Sequence, residues 1–272
     1  MNMQPQRGEE TACVLTVPES MQEPELKKSG AVQTGQMASL FDSIAADYDR
    51  LNHLLSLGID RTWRRRALRQ VVDSRRPQQL LDLACGTGDF SIAMARKAHA
   101  DAQITGVDIS EGMLLQMERK VKQAGLQQKI KMMQGNGEQL PFATASMDAV
   151  TIAFGIRNFG NREAALKEIR RVLKPGGKLV ILELSLPENA FLRRCYKLYF
   201  TRVLPRIGGA VSGNASAYRY LPASVEKFPD RKTWMKTMRH CGYAEVVHKS
   251  FSLGICRMYV GTVENESNGK PC

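Results

Sequence analysis

The chain has 272 residues, 43% of them hydrophobic and 24% charged, the balance of an ordinary globular protein. No apolar run reaches the ~18 residues that a membrane-spanning helix needs, and the first forty residues lack the basic cluster and apolar run of a secretory signal. Six scattered cysteines without a CxxC pair, and four histidines, provide neither a disulfide framework nor a metal-binding motif. They predict reduced thiols in a cytoplasmic protein that holds no metal.

The net charge of +12 is unevenly distributed. Residues 61–76 contain seven arginines and one acidic residue, and residues 193–232 contain nine basic residues against two acidic ones. Such an excess favours an anionic partner, either nucleic acid or an acidic membrane surface. A solvated basic face explains the composition equally well, so these alternatives stay open at this point.

The two ends of the chain differ in composition from the rest. Residues 1–36 are rich in Gln, Glu, Ser, Gly and Pro without hydrophobic periodicity, which predicts a disordered N-terminal extension. Residues 263–272 (VENESNGKPC) predict a flexible tail. Residues 37–262 are expected to form one folded domain.

Short apolar runs alternate with amphipathic stretches across this domain. In chain order, the predicted elements are strand 80–84, helix 89–97, strand 104–109, helix 111–124, strands 130–134 and 149–154, helix 162–173, strand 178–184, helix 233–241 and strands 244–248 and 256–262. This alternation indicates an α/β fold with a mostly parallel sheet covered on both faces. The last two strands are too close for a helical crossover, so the last strand is predicted to be antiparallel.

A long insertion, residues 185–230, separates the fifth strand from the final helix. It interleaves apolar residues (Phe191, Leu192, Tyr196, Leu198, Tyr199, Phe200, Val203, Leu204) with basic ones (Arg193, Arg194, Lys197, Arg202, Arg206). The pattern predicts an amphipathic basic helix that either lies in a membrane interface or packs on its own domain.

Ligands of open α/β sheets bind beyond the carboxyl ends of the strands. After the first strand, Gly86 and Gly88 permit a tight turn and close approach of a ligand to the backbone. Asp108 ends the second strand, 22 residues after Gly86, where an acidic residue can bind the ribose hydroxyls of an adenosine. Asn136 follows the third strand and offers a donor and an acceptor to an adenine edge.

Two features of the loop after the first strand predict the cofactor: it lacks two known nucleotide-binding patterns, and it is acidic. A dinucleotide fingerprint needs a third glycine where Ser91 stands, and a phosphate-binding loop needs a lysine where Asp89 follows Gly88. Asp82 and Asp89 suit a positively charged ligand. S-adenosyl-L-methionine, with an ammonium and a sulfonium group, fits this description.

Three strings carry a resemblance to a known family: DLACGTGD (82–89), RVLKPGGKLVILELS (171–185) and YDRLNHLLSLGIDRTW (48–63). With FGIRN (154–158), LPRIG (204–208) and YRYL (218–221), they resemble the ubiquinone/menaquinone biosynthesis C-methyltransferases over roughly residues 37–262. The resemblance implies the class I S-adenosylmethionine-dependent methyltransferase fold. That fold is Rossmann-like, with a mostly parallel seven-stranded sheet whose last strand is antiparallel.

The resemblance also implies cofactor contacts at Thr87, Asp108, Asn136 and Gly137, which join Gly86 of the tight turn. Three positions depart from the family pattern. Ala153 stands where many relatives carry a cofactor-contacting serine, Leu51 where the family often has methionine, and Asp60 where it often has histidine.

The implied reaction is C-methylation of a polyprenylated quinol, from demethylmenaquinol to menaquinol. Arg157 and Asn158 follow the fourth strand and are predicted to be catalytic, Arg157 by stabilising the developing quinolate and Asn158 by orienting a hydroxyl or a water. Alternatively, Arg157 pairs with a carboxylate and fixes the loop. Tyr48, Asp49 and His53 are candidates to close over the acceptor, with His53 a candidate base.

Three other functions are weighed: a benzoquinol C-methyltransferase of the ubiquinone pathway, a nucleic-acid methyltransferase and a non-catalytic adenosine-binding module. Residues 154–158 lack the Asn/Asp-Pro-Pro-aromatic motif of enzymes that methylate exocyclic base amines, so no nucleic-acid partner is expected. A peripheral contact with the inner face of a membrane is expected from the insertion, and the oligomeric state stays open.

Overall fold

The computed structural model describes residues 35–45, 48–49, 56, 58–199, 202 and 215–265. The strands are β1 (Gln79–Leu83), β2 (Gln103–Asp108), β3 (Ile130–Gln134), β4 (Met147–Ala153), β5 (Leu173–Leu184), β6 (Glu245–Phe251) and β7 (Cys256–Thr262). The helices are α1 (35–44), α2 (Asp60–Val71), α3 (Asp89–Lys97), α4 (Glu111–Gln123), α5 (Arg162–Val172), α6 (Ala190–Leu198), α7 (Ala215–Lys227) and α8 (Arg231–His240).

The strands form one seven-stranded sheet in the order β3-β2-β1-β4-β5-β7-β6. β1 to β5 are parallel, and β7 runs antiparallel between β5 and β6. The predicted fold class and the antiparallel last strand are therefore confirmed. The strand order reverses between β1 and β4, which places a crevice at the carboxyl ends of these two strands.

The central strands β1, β4 and β5 are largely apolar and buried, as expected where helices cover both faces of the sheet. On one face, Trp63 of α2 and Phe90 of α3 pack with Val180 of β5. On the other face, Trp234 of α8 packs with Ile181 of β5, and its ring centroid lies 4.9 Å from that of Phe228. These two clusters fix the helices on the two faces of the sheet.

The fifth strand begins earlier than predicted. α5 ends at Val172, and β5 starts at Leu173 instead of residue 178. Met147 pairs with Leu173 while Ala149 pairs with Lys178, so the Lys-Pro-Gly-Gly segment forms a bulge within the strand. The proline and glycines that predicted a break between helix and strand are thus accommodated inside the strand.

Other boundaries differ by a few residues. α8 begins at Arg231, two residues before the predicted start, because Asp230 caps it by accepting from the amide of Lys232 (2.9 Å). The folded region also passes residue 262, since the Val263 amide donates to the Gly177 carbonyl at 3.0 Å. Residues 1–34 and 266–272 lie outside the described residues, so their predicted disorder stays a prediction.

The insertion contributes two helices, α6 and α7, within its described part. Tyr196 of α6 is buried against Leu221 and Ile255, while Phe191 and Leu198 on the same helix are exposed. Among the helices that the structure describes, none is long and apolar enough to cross a membrane.

Candidate active site

The carboxyl ends of β1 to β4 surround a cavity of about 680 Å³, here called the cofactor cavity. Five of the seven predicted site residues line it: Gly86, Asp108, Asn136, Gly137 and Asn158. The strand order brings them together because parallel strands end at the same edge of the sheet.

The loop after β1 requires glycine at position 88 for its backbone conformation and for its close packing against α4. Gly88 has φ +82° and precedes α3. A Cβ at this position would lie 2.5 Å from Cγ of Met117, a buried side chain of α4. A larger residue would therefore displace either the loop or α4 from the cavity wall.

Asp108 connects two strand ends. Its Oδ2 accepts from the Gly86 amide at 2.8 Å, and its Oδ1 accepts from the Ser110 amide at 3.0 Å. Burial raises the pKa of this carboxyl, and the backbone hydrogen bonds partly oppose that rise. Asp108 therefore orders the glycine loop and also offers a carboxylate to the cavity.

Asn136 and Gly137 form the wall after β3. Asn136 Oδ1 accepts from the Glu138 amide at 3.0 Å, which closes the turn. A Cβ on Gly137 would lie 2.6 Å from Cε2 of Phe159 and 3.0 Å from Cδ2 of Leu83. The absence of a side chain at Gly137 lets the Phe159 ring form a flat apolar wall, which suits the planar adenine expected here.

Thr87 faces a neighbouring polar recess instead of the cofactor cavity. Its Oγ1 donates to Asp49 Oδ1 at 2.5 Å. Lys120 Nζ lies 2.8 Å from Asp49 Oδ2 and 3.2 Å from Thr87 Oγ1, and it also contacts Asp89. This network joins the N-terminal segment to the glycine loop and to α4.

Asp82 adds a third carboxylate to this recess, beside Asp49 and Asp89. It is fully buried and accepts from Ser91 Oγ at 2.6 Å and Thr151 Oγ1 at 2.8 Å. Burial raises the pKa of Asp82 to about 6. The three carboxylates are opposed by two cations: Arg64 also lines the recess, and Lys120 contacts Asp49 and Asp89. One carboxylate is therefore in excess, which makes the recess suitable for a positively charged group.

The N-terminal segment covers the cofactor cavity. Phe41 and Tyr48 line it, with ring centroids 6.3 Å apart. Asp42 Oδ1 accepts from Ser110 Oγ at 2.5 Å and from the Gly112 amide at 2.9 Å, which anchors α1 at the start of α4. Tyr48 was predicted from the sequence, whereas Phe41 and Asp42 were not, since no pattern marked residues 35–44 as a helix.

The departures from the family pattern fall in or near this region. Ala153 lines both the cofactor cavity and the polar recess but offers only a methyl group. Asp60 is buried and accepts from Ser56 Oγ at 2.7 Å. Leu51 and the candidate base His53 lie outside the described residues.

A second, more apolar cavity of about 580 Å³ adjoins the first and is here called the acceptor cavity. It is lined by Tyr48, Ser56, Asp60, Trp63, Arg64, Phe154, Arg157, Leu184, Leu221 and Ile255. Tyr48 and Phe154 line both cavities and so mark their junction. Phe154 has φ +64°, and Ala84 at the end of neighbouring β1 has φ +54°. Such left-handed backbone in residues other than glycine is uncommon and clusters at functional sites.

Arg157 is buried in an ion pair. Its Nη1 lies 2.8 Å from Glu183 Oε1 and also contacts the Phe154 carbonyl, and its Nε donates to Ser224 Oγ at 3.2 Å. Burial lowers the pKa of the guanidinium, but Glu183 counteracts this, and the net pKa lies above the ordinary value. This geometry matches the alternative in which Arg157 pairs with a carboxylate and fixes the loop. Glu183 already neutralises the positive charge that a catalytic Arg157 would direct at the quinolate. The catalytic role of Arg157 stays a prediction.

Asn158 lines the cofactor cavity, and its Oδ1 accepts from the Tyr220 hydroxyl at 2.8 Å. Glu183, Tyr220 and Ser224 are contacts of this turn that the sequence did not predict. A signal existed for Glu183, since a charged residue inside a buried apolar strand needs a partner. Tyr220 belongs to the YRYL string, which carried no assigned role.

A model of the ubiE/COQ5 methyltransferase family matches residues 29–263. The chain belongs to this family. It is 42% identical to a demethylmenaquinone methyltransferase of Bacteroides fragilis over 84% of this chain and 92% of that protein. It is 46% identical to a ubiquinone/menaquinone biosynthesis C-methyltransferase of Syntrophotalea carbinolica over 82% of this chain and 92% of that one. A demethylmenaquinone methyltransferase of Thermus thermophilus is 42% identical, over 82% and 99%.

Solved structures confirm the fold. A SAM-dependent methyltransferase from Aquifex aeolicus matches with a TM-score of 0.53 at 14% identity, over 74% of this chain and 89% of that one. The [4+2]-cyclase SpnF matches with a TM-score of 0.57 at 17% identity, over 85% and 97%. At these identities the likeness concerns the fold alone.

The family confirms the predicted enzyme class and its cofactor, S-adenosyl-L-methionine. The residues fit this group. The flat wall beside Gly137 and the Asp108 carboxylate suit an adenosine, and the adjoining recess with Asp49, Asp82 and Asp89 suits a cationic methionyl group.

Proposed function

We propose that the chain methylates a ring carbon of a polyprenylated quinol and converts demethylmenaquinol to menaquinol. The observation that carries the proposal is the pair of cavities that meet at Tyr48 and Phe154, one polar enough for the cofactor and the other apolar enough for a quinol ring. Relatives named demethylmenaquinone methyltransferase support the choice of acceptor.

Gly86, Asp108, Asn136 and Gly137 would hold the adenosine half of the cofactor, and Thr87 would order the loop that faces its methionyl half. The bound cofactor supplies an electrophilic methyl group on a sulfonium. No metal is needed for such a transfer.

The chain's own residues orient the acceptor and stabilise charge. The apolar acceptor cavity excludes water, and the Tyr48–Phe154 junction aligns the ring carbon with the methyl group. The cofactor would supply its methyl group to the ring carbon, and the ring carbon would give up its hydrogen as a proton. Negative charge on the acceptor oxygen makes the carbon nucleophilic, and Asn158 and Arg157 are the proposed residues that stabilise it.

The test is mass spectrometry of quinols incubated with the enzyme and S-adenosylmethionine that carries a labelled methyl group. A labelled menaquinol supports the proposal. Label on a benzoquinol but not on a naphthoquinol would assign the ubiquinone-pathway reaction instead. Tight cofactor binding without turnover on either quinol would favour a non-catalytic module.

The second part of the proposal is contact with the anionic surface of a membrane on its cytoplasmic side, from which the lipid-tailed acceptor enters. Among the residues that the structure describes, the two most exposed large apolar side chains belong to elements beside the acceptor cavity. Phe191 on α6 is 73% exposed, and Leu253 is 75% exposed, two residues from the cavity residue Ile255. Arg193 and Arg194 on α6 are also exposed and have the charge that anionic lipids attract.

Sedimentation with vesicles tests this contact. The enzyme should bind vesicles of mixed phosphatidylcholine and phosphatidylglycerol better than phosphatidylcholine alone. Phe191→Asp and Leu253→Asp should weaken that binding several-fold without changing turnover of a short-tailed, soluble quinol. Leu115→Asp is the matched control, because Leu115 is 50% exposed on α4. Equal loss in the control would contradict the assigned face.

A further inference from the structure

Helix α7 contacts the turn that carries both proposed catalytic residues. The Tyr220 hydroxyl donates to Asn158 Oδ1 at 2.8 Å, and Ser224 Oγ accepts from Arg157 Nε at 3.2 Å. Residues four apart lie on the same face of a helix. One face of α7, within the insertion, therefore braces the turn at Ile156–Asn158 from the acceptor side.

The hydrogen bond to Asn158 has a defined direction. Burial raises the pKa of the Tyr220 hydroxyl, which Arg157 and Arg162 lower by a smaller amount. The hydroxyl therefore keeps its proton at neutral pH and is able to donate. An asparagine amide has an accepting oxygen at one end and a donating NH₂ group at the other. When its oxygen accepts from Tyr220, the NH₂ group is left to donate elsewhere.

Asn158 lines the cofactor cavity together with Phe154, the junction residue. Under the proposed function, the Asn158 amide donates to the acceptor oxygen on which negative charge develops. Hydrogen bonds to a charged oxygen are roughly twice as strong as those between neutral groups. A donor held in place before the reaction therefore lowers the barrier more than one that must first rotate.

We infer that Tyr220 is a positioning residue, which holds the Asn158 amide with its NH₂ group directed at the acceptor oxygen. This inference rests on the proposed function. The insertion would then have a second role beside the proposed membrane contact, since its helix α7 positions Asn158. The same helix supplies Leu221 to the acceptor cavity.

The test compares Tyr220→Phe and Asn158→Asp on the full chain, with a soluble, short-tailed demethylmenaquinol. Tyr220→Phe removes only the hydroxyl and should lower kcat about tenfold, the value of one neutral hydrogen bond. Cofactor affinity measured by calorimetry should stay within about twofold, since Tyr220 does not line the cofactor cavity.

Asn158→Asp keeps an oxygen for Tyr220 but loses the NH₂ donor, so kcat should fall by about 10²–10³. The double variant should be no slower than Asn158→Asp alone, because no donor is left to position. Additive losses would overturn the inference, and so would a wild-type kcat in Tyr220→Phe.

Tyr243→Phe is the matched control for a purely structural hydroxyl. Tyr243 is buried, and its hydroxyl donates to the Leu166 carbonyl of α5 at 3.0 Å. This variant should lower Tm without changing kcat. If Tyr220→Phe also lowered Tm without changing kcat, Tyr220 would have only a structural role. That result would overturn this inference and leave the proposed function standing. A wild-type chain that binds the cofactor but methylates no quinol would overturn the proposed function and this inference together.

Discussion

The cofactor side of the site (the turns after β1 to β3) and the acceptor side (the turn after β4 and the residues that hold it) differ in how their turns are held. On the cofactor side, Asp108 accepts from the amide of Ser110 and Asn136 from that of Glu138, each two residues away, beside longer-range bonds such as Gly86 to Asp108. On the acceptor side, Arg157 pairs with Glu183 and Asn158 with Tyr220, which are 26 and 62 residues away. Local contacts accompany motifs that a sequence displays, whereas distant ones depend on the completed fold.

The two sides also differ in how they manage charge. The cofactor side has three carboxylates beside two cations, Arg64 and Lys120, and so has room for a further cation. The acceptor side already balances Arg157 with Glu183 inside the protein. Substitutions on the acceptor side should therefore affect stability and turnover, and those on the cofactor side should mainly affect affinity.

The largest effect on stability is expected from Glu183→Gln. It leaves the buried Arg157 without its counter-charge, and such a loss typically costs about 3–5 kcal/mol of unfolding free energy. Urea unfolding measures it. Glu226→Gln is the control, since the Lys197–Glu226 pair is half exposed and should contribute little. Equal stability of both variants would contradict the buried ion pair.

Variants of Arg157 distinguish a catalytic role of this side chain from a role in fixing the loop. If its charge stabilises the quinolate, Arg157→Ala should lower kcat by about 10²–10³ while cofactor affinity changes little. Arg157→Lys retains a charge opposite Glu183 but loses the planar fork, so it should recover only part of the rate. Steady-state kinetics with melting curves decide the matter. A stably folded Arg157→Ala enzyme with wild-type kcat would exclude the catalytic role and leave the ion pair as the sole function of this side chain.

On the cofactor side, Asp108→Ala should weaken binding of S-adenosylmethionine by about 1.5–3 kcal/mol, because charge-assisted hydrogen bonds are lost. Titration calorimetry measures the change, and kcat at saturating cofactor should fall much less. Asp101→Ala, an exposed aspartate just before β2, is the control. Unchanged affinity in a folded Asp108→Ala enzyme would remove the ribose assignment.

Asp82 should make both stability and cofactor affinity depend on pH. Its pKa rises from 3.8 to about 6 on folding, so the folded state holds its proton more tightly. This contribution to stability is therefore present at low pH and lost as pH rises from about 4 to 6, on the order of 3 kcal/mol in total. Cofactor affinity should change in the opposite direction, because the ionised carboxylate attracts a cation. Asp82→Asn should flatten both profiles, and an unchanged slope in either would contradict the assignment.

The smallest effect is expected from removing residues 1–34, which keeps α1 and its Asp42 anchor. The segment has too little apolar content to offset the entropy of ordering it. Activity and Tm should stay near wild-type values. A drop of several degrees in Tm would show that the segment stabilises the domain.

Several features were predictable because they depend on residues close in sequence. The apolar runs gave β3 and β7 at their observed bounds, and the helix 89–97 matches α3. Gly86 with Asp108 predicted adjacent strand ends, since strand–turn–helix units repeat at a regular spacing. Lys174–Gly177 misled the prediction, because a Pro-Gly-Gly segment is as compatible with a bulge as with a break.

The sequence by itself determined the alternation of strands and helices, the antiparallel last strand, the glycine loop and the family. Only the tertiary structure decided that Glu183 neutralises Arg157, that Tyr220 binds Asn158 and that Asp42 anchors α1 over the cavity. The physical reason is that periodicity and turn chemistry act over a few residues. A buried charge or amide instead takes whichever partner the folded chain brings within hydrogen-bonding distance.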